Sequence, residues 1–126
     1  MKEERITYTN HMNILHQALE LIDIEALTEA CKDEWYNQTL CRVNDSVVRL
    51  GIVKGQYHWH KHDTDDEFFL TLEGKLLIDI EGADSVELKP FQGYVVPRGV
   101  VHRTRAQEKT VMLMIETAGI VPTGDD

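Results

Sequence analysis

The chain has 126 residues, of which 42% are hydrophobic and 28% charged, and its formal net charge is -9. This length suits one domain with a single hydrophobic core, and the composition is that of a folded protein. The acidic balance argues against a nucleic-acid partner, because phosphate backbones require clustered Lys and Arg.

The same bulk properties argue against contact with a membrane or export from the cell. No apolar run approaches the roughly 18 residues that cross a bilayer, and the N-terminal sequence MKEERITYTN lacks the apolar core of a signal peptide. The two cysteines, Cys31 and Cys41, do not form a CxxC pair. We expect them to be reduced and half-buried, and the protein to be cytoplasmic.

The N-terminal third has helical spacing. From residue 14 to about residue 35 the apolar residues lie three or four apart, with Asn13 as a possible N-cap and Asp23 as a point where the helix restarts or kinks. His11 and His16 lie in or near this segment and are expected at the surface. The pattern predicts that residues 1–38 form a helical extension that packs on the remaining domain or on a partner subunit.

From Thr39 onward the pattern changes to short β-like runs separated by turn residues. The runs cover residues 40–43, 47–53, 57–62, 68–72, 76–80, 86–88, 94–96, 100–105 and 110–115. Many short strands without intervening helices indicate a sandwich or barrel over residues 39–126. The tail after Glu116 is expected to be a surface strap or a frayed end.

The candidate metal ligands lie in and after the stretch HWHKHDTDDE, residues 58–67. In a strand, residues two apart share a face, so His60 and His62 can both point into the barrel. Glu67 follows an acidic turn and can return on the next strand, and His102 follows the turn Pro97-Arg98-Gly99. Three imidazoles and a carboxylate suit divalent Fe, Mn, Co, Ni or Zn, with two positions left for water or substrate.

The full spacing is more specific than the histidine pair. Four residues separate His62 from Glu67, six more lead to Gly74, and Pro97-x-Gly99-x-x-His102 follows. This arrangement resembles the two motifs of the cupin superfamily over roughly residues 55–123. In detail it is similar to the small single-domain bacterial cupins that are loosely named after mannose-6-phosphate isomerase.

The resemblance implies an all-β fold, a double-stranded β-helix or jelly-roll barrel with the metal inside, and usually a homodimer. The chain departs from the family pattern at three turn or strand-end positions: Lys54 and Phe91 stand where the motifs have glycine, and Ala106 where the second has asparagine. These departures concern loop geometry more than metal binding.

Other residues could contribute to the site. Strand parity places His58 beside His60 and His62, as a ligand, a proton carrier or, as we favour, a tentative catalytic residue just outside the ligand set. Parity also places Phe69 and Thr71 on the face of Glu67, which predicts a mostly apolar pocket for a small-molecule ligand.

The C-terminal half offers two further patterns, each with two interpretations. Arg98, Arg103 and Arg105 could bind an anionic substrate, although salt bridges to the many acidic residues are the favoured interpretation. Residues 111–115, VMLMI, are apolar at both parities. Burial of both strand faces would follow, and one of those faces could form a dimer interface.

Function is less constrained than the site. No GxSxG, P-loop or dinucleotide fingerprint is present. We favour a metal-dependent enzyme that acts on a small organic molecule by dioxygenase-like or oxidative chemistry. The alternatives are a sugar or sugar-phosphate isomerase, which would need the arginines as a phosphate clamp, and a non-catalytic ligand-binding or sensor module.

Overall fold

The structure, a computed structural model, describes residues 9–125. These residues form eight strands and one helix. In chain order they are β1 (Thr9–His11), α1 (Ile24–Ala30), β2 (Tyr36–Val43), β3 (Ser46–Gln56), β4 (Glu67–Glu73), β5 (Leu76–Ile80), β6 (Val86–Leu88), β7 (Gly93–Val96) and β8 (His102–Thr117). Within the described residues no helix is long and apolar enough to cross a membrane.

The long strand β8 is the centre of the sheet. It pairs antiparallel with β3, β4 and β5, while β2 adds to β3, β7 to β4 and β6 to β5. The sheet folds over on itself, so that Phe69 of β4 and Met112 of β8 share a buried core with Ile78 of β5 and Leu88 of β6. This all-β architecture is the double-stranded β-helix that the sequence predicts.

Strand β8 curves strongly. Fully extended, its 16 residues would span about 50 Å, yet residues near both of its ends contact Glu67. The register with β3 jumps from Val53 opposite Thr110 to Gly55 opposite Ala106. Residues 107–109 are exposed at this bulge, where extra residues bend a strand. The bend brings the two ends of β8 to one place.

The N-terminal helix is much shorter than predicted. Residues 1–8 of the predicted extension lie outside the described residues, and among residues 9–38 only Ile24–Ala30 is helical. Asp23 is its N-cap; the Asp23 side chain accepts a hydrogen bond from the Ala26 amide at 3.0 Å. The predicted helical turns between residues 14 and 22 are wrong, because the main chain of this segment forms hydrogen bonds to β2 instead. The amide of Leu15 donates to the Thr39 carbonyl, and Leu19 adopts a left-handed φ of 68°.

This N-terminal segment covers one face of the sheet. Ile22, Ile24 and Leu27 pack against a buried cluster on β2, β3 and β8 that includes Leu50 and Val111. The chain itself therefore accounts for burial on both faces of this part of β8.

The strands differ from the sequence prediction at three further places. Residues 57–62 do not form a strand; only His60 makes an isolated bridge, to His102. The runs 100–105 and 110–115 belong to one strand, β8, since its polar bulge interrupts the apolar pattern without ending the pairing. Strand β1 was not predicted, because TNH has no apolar alternation; it pairs parallel with β2.

Candidate metal centre

Four side chains converge where β4 and β8 begin. His60, His62, Glu67 and His102 each offer one ligand atom, and these atoms all lie within 4.8 Å of one another. Oε1 of Glu67 is 3.3 Å from Nε2 of His102 and 3.7 Å from Nε2 of His62. All but His60, which is half-buried, are inaccessible to solvent.

Two of the four residues begin strands, and the other two lie on an irregular segment. Glu67 is the first residue of β4 and His102 the first of β8. The segment that carries His60 and His62 is held by the backbone bridge to His102 and by the Gly99 amide, which donates to the His62 carbonyl at 2.8 Å. The Pro-x-Gly turn before His102 thus also fixes the position of His62.

Backbone carbonyls set the tautomers of two histidines. Nδ1 of His60 donates to the His58 carbonyl at 3.0 Å, and Nδ1 of His102 donates to the Val100 carbonyl at 2.9 Å. Because a carbonyl can only accept, each Nδ1 carries the proton and each Nε2 keeps its lone pair. This is the second-shell arrangement that orients metal-binding histidines.

The four residues fit a divalent cation. A lone pair on His102 Nε2 faces the Glu67 carboxylate oxygen, so two acceptors point at each other. Among the described residues neither ring nitrogen of the buried His62 has a hydrogen-bond partner. Buried histidine nitrogens that face no donor are costly unless a cation lies between them. Three nitrogens and one oxygen are a suitable donor set for a first-row divalent metal.

Burial keeps the three imidazoles in the form that binds metal. It lowers the pKa of His60 to about 3, and the neighbouring His102 and His62 contribute to the same shift. Burial likewise lowers the pKa of His62 and that of His102. At neutral pH protons therefore do not compete for these nitrogens.

A buried Arg–Glu pair next to the site is not predicted from the sequence. Arg49 of β3 donates from Nη1 to Oε1 of Glu116 on β8 at 2.6 Å, and both side chains are buried. Burial, together with the adjacent Glu67 carboxyl, raises the pKa of Glu116 to about 9. The available signal was a charged residue at an inward position: Glu116 shares its parity with Met112 and Met114.

A cavity of about 50 Å³ opens beside the four residues, which is room for a few water molecules. Of the four, His60 and Glu67 reach its wall. The remaining wall is largely apolar and aromatic; it includes Trp35, Val53, Tyr57, Phe69, Met112, Met114 and Pro122, with Glu116 as a second carboxyl group. Phe69 and Thr71 are both buried on the face of Glu67, as parity predicts.

His58 does not join the four ligand candidates. Its ring is exposed at the surface, and Nε2 donates to the Thr123 carbonyl at 2.8 Å. Its contribution to the site is its own carbonyl, which accepts from His60.

The arginines form salt bridges, the interpretation that the sequence favours. Arg98 lies 3.5 Å from Asp66, while Arg103 and Arg105 both donate to Oδ2 of Asp79 at 2.9 and 2.7 Å. Burial raises the pKa of Asp79, but hydrogen bonds from Arg105, Ser85 and Arg103 outweigh it and lower that pKa to about 2.

Comparison with known proteins identifies the family. The family described as Cupin domain matches residues 49–117, more than half of the chain and all four ligand candidates. The chain belongs to the cupin domain family. The uncharacterized protein YdbB of Bacillus subtilis (strain 168) is 41% identical to this cupin over 91 residues, which are 72% of this chain and 80% of YdbB.

Solved structures share the fold of this cupin. A cupin-2 domain containing protein from Shewanella frigidimarina NCIMB 400 superposes with a TM-score of 0.73 at 29% identity, covering 77% of this chain and 94% of that chain. Protein NMB1881 from Neisseria meningitidis gives a TM-score of 0.70 at 26% identity, covering 78% and 99%.

The departures from the cupin motifs have local explanations. Phe91, at a glycine position of the motif, adopts the left-handed φ of 69° that glycine tolerates, and its side chain is exposed. Gly55 supplies a φ of 97° one residue after Lys54. Ala106 is buried in the core. None of the three alters the group of four.

Proposed function

We propose that this cupin binds one divalent metal ion, Fe, Mn, Co, Ni or Zn, through His60, His62, Glu67 and His102. We further propose that it is an enzyme that acts on a small organic molecule by dioxygenase-like or oxidative chemistry. The observation that carries the second step is the cavity, because its apolar wall opens directly onto His60 and Glu67. A substrate held there would lie next to the ion.

The residues around the cavity have definable tasks in such a reaction. The apolar side chains of Phe69, Met112 and Met114 exclude water and leave the substrate few polar neighbours besides the ion. The rings of His60 and His102 are pre-oriented by backbone hydrogen bonds and need little rearrangement on binding. The bound ion would supply a Lewis acid or, if redox-active, a centre that activates O₂.

No observation favours the isomerase alternative. It requires a cationic clamp for a phosphate group, but Arg98 pairs with Asp66, and Arg103 and Arg105 pair with Asp79. None of these three arginines lines the cavity. The use of His58 as a proton carrier stays a prediction from the sequence.

We also propose that the protein is a cytoplasmic homodimer. In support of dimerisation, Val95, Phe68 and Ile115 lie opposite one another on β7, β4 and β8. Val95 and Ile115 are exposed and Phe68 is partly exposed, so they form an apolar row that a second copy could cover. In support of a reducing compartment, Cys31 and Cys41 are both free.

Two measurements test the enzymatic proposal. Nitric oxide added anaerobically to the Fe(II)-loaded protein reports an open coordination position through its electron paramagnetic resonance spectrum. Oxygen uptake is then followed with a panel of small hydroxy acids, diols and phenols. We expect the nitrosyl signal and compound-dependent uptake, both lost in His60→Ala. A coordination sphere closed to nitric oxide would favour the non-catalytic module, and zinc-supported isomerisation without O₂ would favour the isomerase.

A cavity-filling variant separates metal binding from substrate binding. A Cβ at Gly51 would lie 2.8 Å from Met112 Cε and 3.2 Å from Met114 Cε, so Gly51→Val narrows the cavity without touching a ligand. We expect a full metal equivalent but at least about tenfold slower oxygen uptake, since a misplaced substrate loses much of its reactivity. Gly119→Ala, where a Cβ meets nothing within 4 Å, is the control.

A further inference from the structure

The C-terminal segment after β8 lies against the irregular segment that carries two ligand candidates. We call residues 120–125 the C-terminal strap and residues 57–63 the ligand segment. Asp125 is bonded in both directions: its amide donates to the Lys61 carbonyl at 2.7 Å, and its Oδ2 accepts from the Asp63 amide at 2.7 Å. The carbonyls of Pro122 and Thr123 accept from Tyr57 Oη and His58 Nε2 at 3.3 and 2.8 Å.

These contacts substitute for strand pairing that the ligand segment lacks. Strand β3 ends at Gln56, and the next element, β4, begins at Glu67. Between them, β8 provides a hydrogen bond from the Tyr57 amide to the Thr104 carbonyl at 2.9 Å and the isolated bridge of His60 to His102. The strap bonds fall at Tyr57 and His58 before the two histidines, at Lys61 between them and at Asp63 after them. The stretch that contains both histidines is therefore held by the strap on either side.

Close packing at Gly124 leaves no room for a side chain at this position of the strap. A Cβ at Gly124 would lie 2.5 Å from His60 Cβ and 3.1 Å from the Lys61 carbonyl oxygen. Gly124 also has a φ of 93°, a conformation that strains any residue with a Cβ. The strap thus reaches the side chain of His60 and the backbone of Lys61 so closely that only glycine fits.

We propose that the C-terminal strap positions His60 and His62 and thereby sets the metal affinity of the site. This inference rests on the proposed metal-binding function. The strap also supplies Pro122 to the cavity wall, so the same segment contributes to the metal centre and to the space beside it. Its residues do not bind the ion; they act through the ligand segment.

The decisive variant is Gly124→Ala in the full chain. We expect Co(II) affinity, measured by competition with a chromophoric chelator, to fall about tenfold or more, as for other groups that position ligands. We also expect amide hydrogen exchange of residues 58–63 to accelerate in protein stripped of metal, because fewer contacts hold the segment. Gly119→Ala should change neither measurement, since a Cβ there meets nothing within 4 Å.

A second variant tests the same contacts if Gly124→Ala does not fold. Asp125→Ala removes the acceptor of the Asp63 amide without adding volume, and should weaken Co(II) binding in the same direction. Asp84→Ala, at an exposed turn between β5 and β6, is the matched control.

The outcomes distinguish the two proposals. Unchanged exchange and unchanged Co(II) affinity in both strap variants would overturn the strap proposal. A wild-type protein that binds no Co(II) would instead overturn the proposed metal site. Hydrogen exchange still tests the strap contacts in that case: unchanged exchange in the strap variants would show that they do not hold the ligand segment.

Discussion

The two halves of the candidate metal centre are built differently. Glu67 and His102 begin strands within the central sheet, and Glu67 lies beside the buried pair Arg49–Glu116. His60 and His62 lie outside regular structure and depend on a bridge, a turn and the C-terminal strap. One half is therefore part of the folding core, whereas the other is attached to it.

The difference predicts which property each region controls. Substitutions in and next to the half that contains Glu67 and His102 should alter the free energy of unfolding, because they disturb residues that fold with the core. Changes in the ligand segment should alter metal binding with little effect on the unfolding of the metal-free chain. Substitutions in each half test that separation.

The largest effect is expected from Arg49→Met, which removes the cation beside the Glu116–Glu67 carboxyl pair and thereby its favourable interaction with both groups. Arg49 and Glu116 are almost wholly buried, and a buried carboxylate left without its cation typically costs about 3–5 kcal/mol. Urea unfolding of the metal-free protein measures the loss. Arg98→Met is the control; it breaks an exposed pair with Asp66, for which about 1 kcal/mol or less is expected. Equal losses would refute the buried pair's structural role.

A smaller contrast is expected between two ligand substitutions. His102→Ala should lower the unfolding free energy of the metal-free protein by about 2 kcal/mol, because a buried ring and its hydrogen bond to the Val100 carbonyl are lost. His62→Ala also removes a buried ring, but it removes two ring nitrogens that have no hydrogen-bond partner among the described residues. Relief of that cost offsets the lost packing, so the change should be no more than about 1 kcal/mol.

Both of these variants should fail to bind one equivalent of metal. If His62→Ala proves as destabilising as His102→Ala, the two halves of the site do not differ in their contribution to folding. Thermal or urea unfolding after dialysis against a chelator gives the comparison.

The smallest effect is a pH dependence at Asp79. The folded protein holds its pKa at about 2, below the ordinary value of 3.8, so the folded state favours the ionised carboxylate. The resulting stabilisation is complete above the unfolded pKa and is lost as the pH falls from about 4 towards 2. Unfolding at about pH 5 and about pH 3 should show a smaller decrease for Asp79→Asn than for wild type. Identical decreases would contradict the assignment.

Several strands of the sheet can be predicted from the sequence, because the apolar runs and turn residues that define them are close together in the chain. The runs 76–80 and 86–88 coincide with β5 and β6, and the Pro-x-Gly turn correctly precedes the start of β8. The sequence predicts a strand over residues 57–62, and strand parity groups His60 with His62. The segment is irregular and only His60 forms a bridge to β8, yet the two histidines do lie together.

What could not be predicted depends on distant partners. Arg49 and Glu116 are 67 residues apart, and only the pairing of β3 with β8 shows that their charges meet. The periodicity of residues 14–22 is helical in isolation, but β2 offers the Thr39 and Leu40 carbonyls to that main chain instead. The sequence allows the C-terminal tail to be either a strap or a frayed end, because its hydrogen bonds are to residues about 60 positions earlier in the chain.

Metal content tests the central claim most directly. The protein is purified without a chelating tag, its metal is quantified by elemental analysis, and anomalous diffraction locates the ion. We predict one divalent ion per chain, with its anomalous peak among His60, His62, Glu67 and His102, and no bound metal in the His60→Ala/His62→Ala double variant. A full equivalent retained by that variant, or an anomalous peak elsewhere in the wild type, would contradict the assignment.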